Sequence, residues 1–233
     1  MSAVHVAGTH PWHETLLGHA LAYGILGRLF YEEPSADLVA ELRAGVYDGE
    51  WVIDGGDVTV GRGLALLAEQ LTDWSEEQVA ELRYDYHRLF VGPGRLLAPP
   101  WESVYLSAEH LLFEAETRAV RSFYRRYGLQ APNLGHEPDD HLGLELAFML
   151  HLCVLALDAL EHEDHDTFDG LLEAQRSFLG KHLLQWAPMC LNRVLEHAES
   201  DFYRGAAYLA LGTLEGAADA LGITGFEALQ DAG

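Results

Sequence analysis

Apolar residues at three- and four-residue intervals dominate this chain. Leu16, Leu17, Ala20, Leu21 and Ile25 share one helical face and predict a helix over residues 13–30. Pro34 stands at a helix-opening position ahead of Leu38, Val39 and Leu42, and Gly45 closes that second helix. The pattern then breaks. Residues 47–63, YDGEWVIDGGDVTVGRG, carry five glycines, and the short DVTV alternation hints at a strand with nothing to pair with, so the segment reads as a flexible loop. Its glycines lack the trailing Gly-Lys-Ser/Thr of a phosphate-binding loop. Ser75 with Gln78 forms a capping box, and Leu82, Tyr86, Leu89 and Phe90 carry the helix it starts.

That helix runs into RLFVGPGRLLAPPWESVYL, whose backbone is dictated by Gly92, Pro93, Gly94, Pro99 and Pro100 before Trp101 and Tyr105. Glycine opens conformations closed to other residues and proline fixes φ, so such a loop has little freedom left to lose. A rigid loop carrying large aromatic side chains reads as a binding platform. The same pattern also describes a connector whose Trp101 fills the core. Residues 107–127 read as a helix closed by Gly128 at C′. Pro138 sits at a first helical position, and Leu142, Leu146, Met149, Leu150, Cys153 and Leu157 predict a long buried helix to residue 160. Three further helices follow over residues 167–182, 184–198 and 201–221; Ser200 caps the last and Gly222 ends it. Neither a sheet-forming alternation nor a repeat is present. The expectation is one all-α domain over residues 1–233 with about eight to twelve helices.

Composition adds charge to that picture. Of 233 residues, 49% are hydrophobic and 22% charged, as in a soluble globular protein. The 37 acidic residues outnumber 14 basic ones for a formal net charge of −23. Such a surface disfavours nucleic acid and anionic membranes and favours cationic partners; an acidic or saline host accounts for it equally well. The first residues lack a basic region and an apolar run, so no export signal is expected, and no stretch approaches the ~18 apolar residues of a membrane span. Cys153 and Cys190 are too few for a disulfide framework and fit a reducing cytoplasm.

The histidines invite a metal reading that their spacing denies. His5, His10, His13 and His19 match no ligand set, and EHEDHD at residues 161–166 reads as a solvated connector. In GHEPDDHLGLE, His136 and His141 lie five apart, with Pro138 between them, which removes the shared helical face a zinc site requires. With Glu137 near the N-cap, Asp139 and Asp140 fall in the first turn, where free N–H groups favour carboxylates, and His141 faces Glu145. Neither a catalytic order nor a phosphate loop supports the rival reading, a helical hydrolase or nucleotide-binding enzyme using Glu137, Asp140 and His141.

Three segments in register resemble one family. Leu89-Phe90 with Gly92-Pro93, Pro99 to Tyr105, and Glu137 to Leu142 reproduce the LF-x-GP, PPW-x-SV-[WY] and E-P-x-D-H-[IL] pattern of the TorD/DmsD redox-enzyme maturation chaperones, nearest the DmsD-like branch. The likeness extends from about Gln78 onward, including residues 182–211. It implies an all-helical cytoplasmic chaperone, without cofactor or metal and not an enzyme. Its partner would be the twin-arginine leader and apo form of a molybdopterin oxidoreductase of the dimethyl-sulfoxide-reductase type, or alternatively a nitrate-reductase-like subunit. The resemblance further implies leader contacts at Tyr86, Leu89, Phe90, Pro99, Pro100, Trp101, Tyr105, Glu137, Asp140 and His141, with Asp140 accepting a client arginine. Family members are monomers or helix-exchanged dimers, without stable membrane insertion. Some carry a tryptophan where this chain has Gly94, and another where it has Tyr86, so the groove here has a different shape.

Overall fold

A computed structural model describes residues 10–47, 58–72, 75, 77–107, 115–132 and 138–224. Its helices are α1 (Pro11–Tyr31), α2 (Ala36–Tyr47), α3 (Val58–Thr72), α4 (Gln78–Tyr86), α5 (Glu102–Leu106), α6 (Ala115–Arg126), α7 (Leu142–Glu161), α8 (His165–Phe178), α9 (Leu184–His197) and α10 (Asp201–Ala220). Wider π-type turns prolong α4 through His87–Val91 and join α8 to α9 through Leu179–Leu183. The fold is all-α; among the described residues the one β-type contact is a single bridge between Trp101 and His141.

Two close helix crossings organise the core. Gly24 of α1 meets Leu150 of α7, and Gly27 meets Gly143 and Ala147, so the two helices run antiparallel with backbones nearly touching. Gly63 of α3 likewise packs on the carbonyl of Gly205 in α10, and Gly212 leaves room for Val60. Those glycines explain a misreading of the sequence. Residues 58–63 are the first turns of α3, not loop or strand: Gly63 marks a close approach rather than a break. Residues 48–57 of the expected loop lie outside the described residues.

Local signals set most other boundaries. Gln78 Oε1 accepts from Ser75 N at 2.8 Å, completing half of the capping box. Ser200 Oγ accepts from Tyr203 N and donates to buried Asp85, which ties α4 to the start of α10. Gly128 and Gly222 adopt φ of 77° and 67°, as C′ residues do. Asp164 caps α8 within an exposed connector, in place of the metal site its composition imitates. Ser107 is extended and ends α5; residues 108–114 of the helix expected from there lie outside the described residues, and α6 is described from Ala115. The boundary at α7 differs from expectation. Helix α7 starts at Leu142, leaving Pro138, Asp139 and Asp140 outside it.

Helix α7 is long and apolar enough to cross a bilayer, with a mean hydropathy of 1.8 over its most apolar stretch. Here it is a core helix packed between α1 and α8. Cys153 on α7 and Cys190 on α9 are free and buried, and burial pushes both thiols up to about 12.

A methyl at Gly143 would lie 2.5 Å from Gly27 O and 2.6 Å from Tyr31 Cβ, so α1 and α7 must part. Gly143→Ala is expected to lose about 1–3 kcal/mol through overpacking, or ~2–4 °C of melting temperature for each kcal/mol. Gly170→Ala, in open space on α8, should gain a few tenths to ~1 kcal/mol from helix propensity. Thermal denaturation of the two variants separates packing from propensity.

Candidate functional site

The bridge between Trp101 and His141 brings the two sequence motifs together. Glu102 N donates to Asp140 O at 3.0 Å and Leu142 N to Pro100 O at 2.8 Å. Pro100 has no N–H of its own to satisfy, so it supplies an acceptor without leaving a donor stranded. The Asp140 carboxylate then reaches across the bridge, accepting from Ser103 N and Thr117 Oγ1, each at 2.7 Å. It thereby caps α5 and fastens α6, not the helix it precedes in sequence. The cap of α7 is His141, whose Nδ1 accepts from Gly143 N at 3.1 Å.

Asp139 is equally engaged. Arg121 Nε donates to it at 2.9 Å, and Tyr124 donates its hydroxyl to the Asp139 carbonyl at 3.0 Å. Beneath this layer Glu102 accepts from His182 Nδ1 at 2.9 Å, and Glu145 accepts from Trp186 Nε1 at 3.2 Å. Burial and the nearby Glu102 carboxylate push Glu145 well above the usual carboxylate range. Burial also lowers His141 to about 3 and His19 of α1 to about 4, leaving both rings uncharged.

The expected site residues divide by depth. Tyr86, Leu89 and Phe90 are core: Tyr86 donates to the Tyr31 carbonyl at 2.9 Å, and Phe90 packs edge-on against Phe30 and Tyr203. Pro100, Asp140 and His141 are buried, Asp140 with 0% exposure, so its carboxylate is not open to a client arginine. Glu137 lies outside the described residues. Pro99, Trp101 and Tyr105 are half-buried and, with Leu96 and Val104, form a groove of about 600 Å³. Arg95 and Arg193 stand on its rim, and Arg193 Nε donates to Leu97 O at 2.6 Å, bracing the loop from α9. The Trp101 indole N–H finds no acceptor among the described residues.

Sequence reasoning missed Ser103, Thr117 and Arg121, the partners of the two aspartates, and the arginine rim. The Ser-Val within the PPW-x-SV motif was the available signal for Ser103, since a residue two past an extended tryptophan presents its N–H at a helix start. Nothing local marks Thr117 or Arg121.

The site is thus an aromatic groove on a helical frame, underlain by carboxylates that are already engaged. Among the described residues no three His, Cys, Asp or Glu side chains gather to hold a metal. A family model described as nitrate reductase delta subunit matches residues 54–192. The chain is 33% identical over 199 residues to the Tat proofreading chaperone DmsD of Salmonella typhi, covering 84% of this chain and 86% of that one. It is 29% identical over 197 residues to the chaperone protein TorD of Vibrio cholerae, covering 83% and 87%. A solved chain from Archaeoglobus fulgidus, described as a candidate redox enzyme maturation protein, superposes with a TM-score of 0.47 at 17% identity over 89% of this chain and 98% of its own. This chain belongs to the TorD/DmsD family of redox-enzyme maturation chaperones.

Asp140→Asn keeps the shape but loses one of the two acceptor oxygens. It is expected to destabilise by about 1–3 kcal/mol, the range for a buried hydrogen bond to a charged group, as read by chemical denaturation, with Thr117→Val losing less. For His141 the sign follows from its depressed value: the unfolded ring takes up a proton near 6.5 and the folded ring does not. Its contribution is therefore whole above about pH 6.5 and is lost as pH falls toward 3. Its ring resonances should stay constant between ~pH 5 and ~pH 8, while exposed His162, raised by Asp158, titrates.

Proposed function

We propose that this chaperone binds the twin-arginine leader of a molybdopterin oxidoreductase of the dimethyl-sulfoxide-reductase type in the cytoplasm, delaying export until the client has matured. The observation that carries it is the Trp101 groove: a half-buried indole beside Pro99 and Tyr105, fixed by the bridge to His141 before any client arrives. Preorganisation reduces what ordering would otherwise subtract from affinity. A leader offers two arginines and an apolar run, and the magnitudes rank them. An exposed ion pair contributes ~0–1 kcal/mol, whereas a buried leucine-sized side chain contributes ~1.5–3 kcal/mol before ordering. Trp101 and Tyr105 make the contact; Tyr86, Leu89, Phe90, Pro100, Asp140 and His141 hold it in place. The family model's description favours a second reading, a nitrate-reductase-like client, but the likeness to DmsD spans 84% of the chain.

A leader peptide is expected to raise the melting temperature by ligand linkage. Trp101→Ala should weaken binding at least tenfold (~1.4 kcal/mol), with the deficit persisting at ~1 M salt, where charge screening acts within ~3 Å. Replacing the leader's leucines by serine should lose more affinity than replacing its arginines by lysine, measured calorimetrically. If the order is reversed, or salt abolishes binding, recognition is governed by surface charge rather than by apolar burial; a Trp101→Ala variant of full affinity would show that the aromatic groove is not the anchor.

A further inference from the structure

A second groove, of about 480 Å³, runs between α1 and α7 and reaches α2 at one end. Its walls are Leu21, Gly24 and Ile25 facing Leu144, Ala147 and Leu150. Leu21 is 47% exposed, and Val154, one turn beyond Leu150, is 50% exposed, so the apolar surface continues past the groove. At its other end stand Glu32 and Glu41, with Arg28 between them. Both carboxylates remain open, at 45% and 61% exposure, and each has acceptor positions beyond those Arg28 occupies. The groove is therefore acidic at one end and apolar along the rest. From Leu21 to Glu32 is eleven residues along α1, or ~16 Å at ~1.5 Å per residue.

This groove adjoins the Trp101 site. Tyr31, which lines its acidic end, meets His141 edge to face at 5.2 Å between centroids, and His141 meets Trp101 in the same way at 5.7 Å. Three or four extended residues, at ~3.3 Å each, cover that ladder. The Trp101 groove itself is a poor place for a guanidinium, because Arg95 and Arg193 rim it and Asp140 lies buried beneath it.

We infer that the two grooves form one track for the client's leader. Its arginines dock at the Glu32/Glu41 corner, its apolar run follows the α1/α7 groove, and the residues ahead of the arginines pass over Tyr31 and His141 to Trp101. This rests on the leader-binding reading and fixes the direction of the bound chain. Charge complementarity selects the occupant. A cationic pair followed by an apolar run matches carboxylates followed by leucines, whereas an acidic segment would be repelled at the corner.

The test uses the full chain and a leader peptide of known sequence carrying a benzophenone either just before the arginines or at the far end of the apolar run. Light-induced crosslinks mapped by mass spectrometry are expected within residues 95–105 for the first probe. For the second they are expected on α1 and α7 near Leu21 and Val154. Leu21→Arg, at an exposed position, should reduce affinity about tenfold, while Val58→Arg on α3 should leave it unchanged. Glu32→Gln with Glu41→Gln should weaken binding roughly three- to tenfold, and that loss should vanish for a leader whose arginines are glutamine. Exchanged crosslinks, or a full-affinity Leu21→Arg with both probes confined to residues 95–105, would overturn the track while leaving leader binding intact. No binding by the unmodified protein would remove both readings.

Discussion

Everything at the site hangs on the short antiparallel pairing of residues 100–102 with 140–142. Two backbone hydrogen bonds and the two bonds of the Asp140 carboxylate join α5, α6 and α7 at one point. Each contributes only about 1 kcal/mol net, but breaking one strands a buried polar group, which costs about 1–3 kcal/mol. The asymmetry makes the junction stiff without requiring it to be very stabilising. It also fixes Trp101: the indole stands where the bridge directs it, against His141, whose neutral ring is held by the N–H of Gly143.

The layer under the bridge is unusual for its buried acids. Asp139, Asp140, Glu102 and Glu145 all lie in it, in a chain whose formal charge is already −23. Each has its own compensation: Arg121 for Asp139, donors from Ser103 and Thr117 for Asp140, His182 for Glu102, and the Trp186 indole N–H for Glu145. Buried polar pairs of this kind seldom add much stability over an apolar replacement, yet breaking one partner is strongly destabilising. Their geometric demands do constrain α6, α7 and α9 to one arrangement. The surface acidity and this internal layer thus have separate physical causes.

What was legible in the sequence was local. Helical periodicity, the Ser75 and Ser200 caps and the Gly128 and Gly222 stops are decided within a turn or two, and the fold shows them where the pattern placed them. Legibility failed where a residue answers to a distant partner. Gly63 looked like a breaker because its reason, the carbonyl of Gly205, is far along the chain. Asp140 looked like a cap for the next helix because the N–H it serves belongs to Ser103, 37 residues earlier. The motif pattern carries no information on depth: it does not distinguish half-buried Pro99, Trp101 and Tyr105 from buried Pro100, Asp140 and His141.

That distinction bears on how one frame serves different clients. Five residues of the family pattern, Leu89, Phe90, Pro100, Asp140 and His141, are buried, so a change in any of them disturbs the frame before it alters the groove. The groove's surface draws on both kinds of residue: Pro99, Trp101, Val104 and Tyr105 belong to the pattern, while Arg95, Leu96 and Arg193 lie outside it, with Gly94 next to Arg95 in the chain at φ 112° and open space where a side chain would project. A tryptophan at the Gly94 position, as some members have, would need a different backbone there and would fill that space. On the proposed reading, client preference is therefore adjustable at the exposed edge of the groove, where Arg95 and Gly94 stand, while the bridge beneath keeps Trp101 in place.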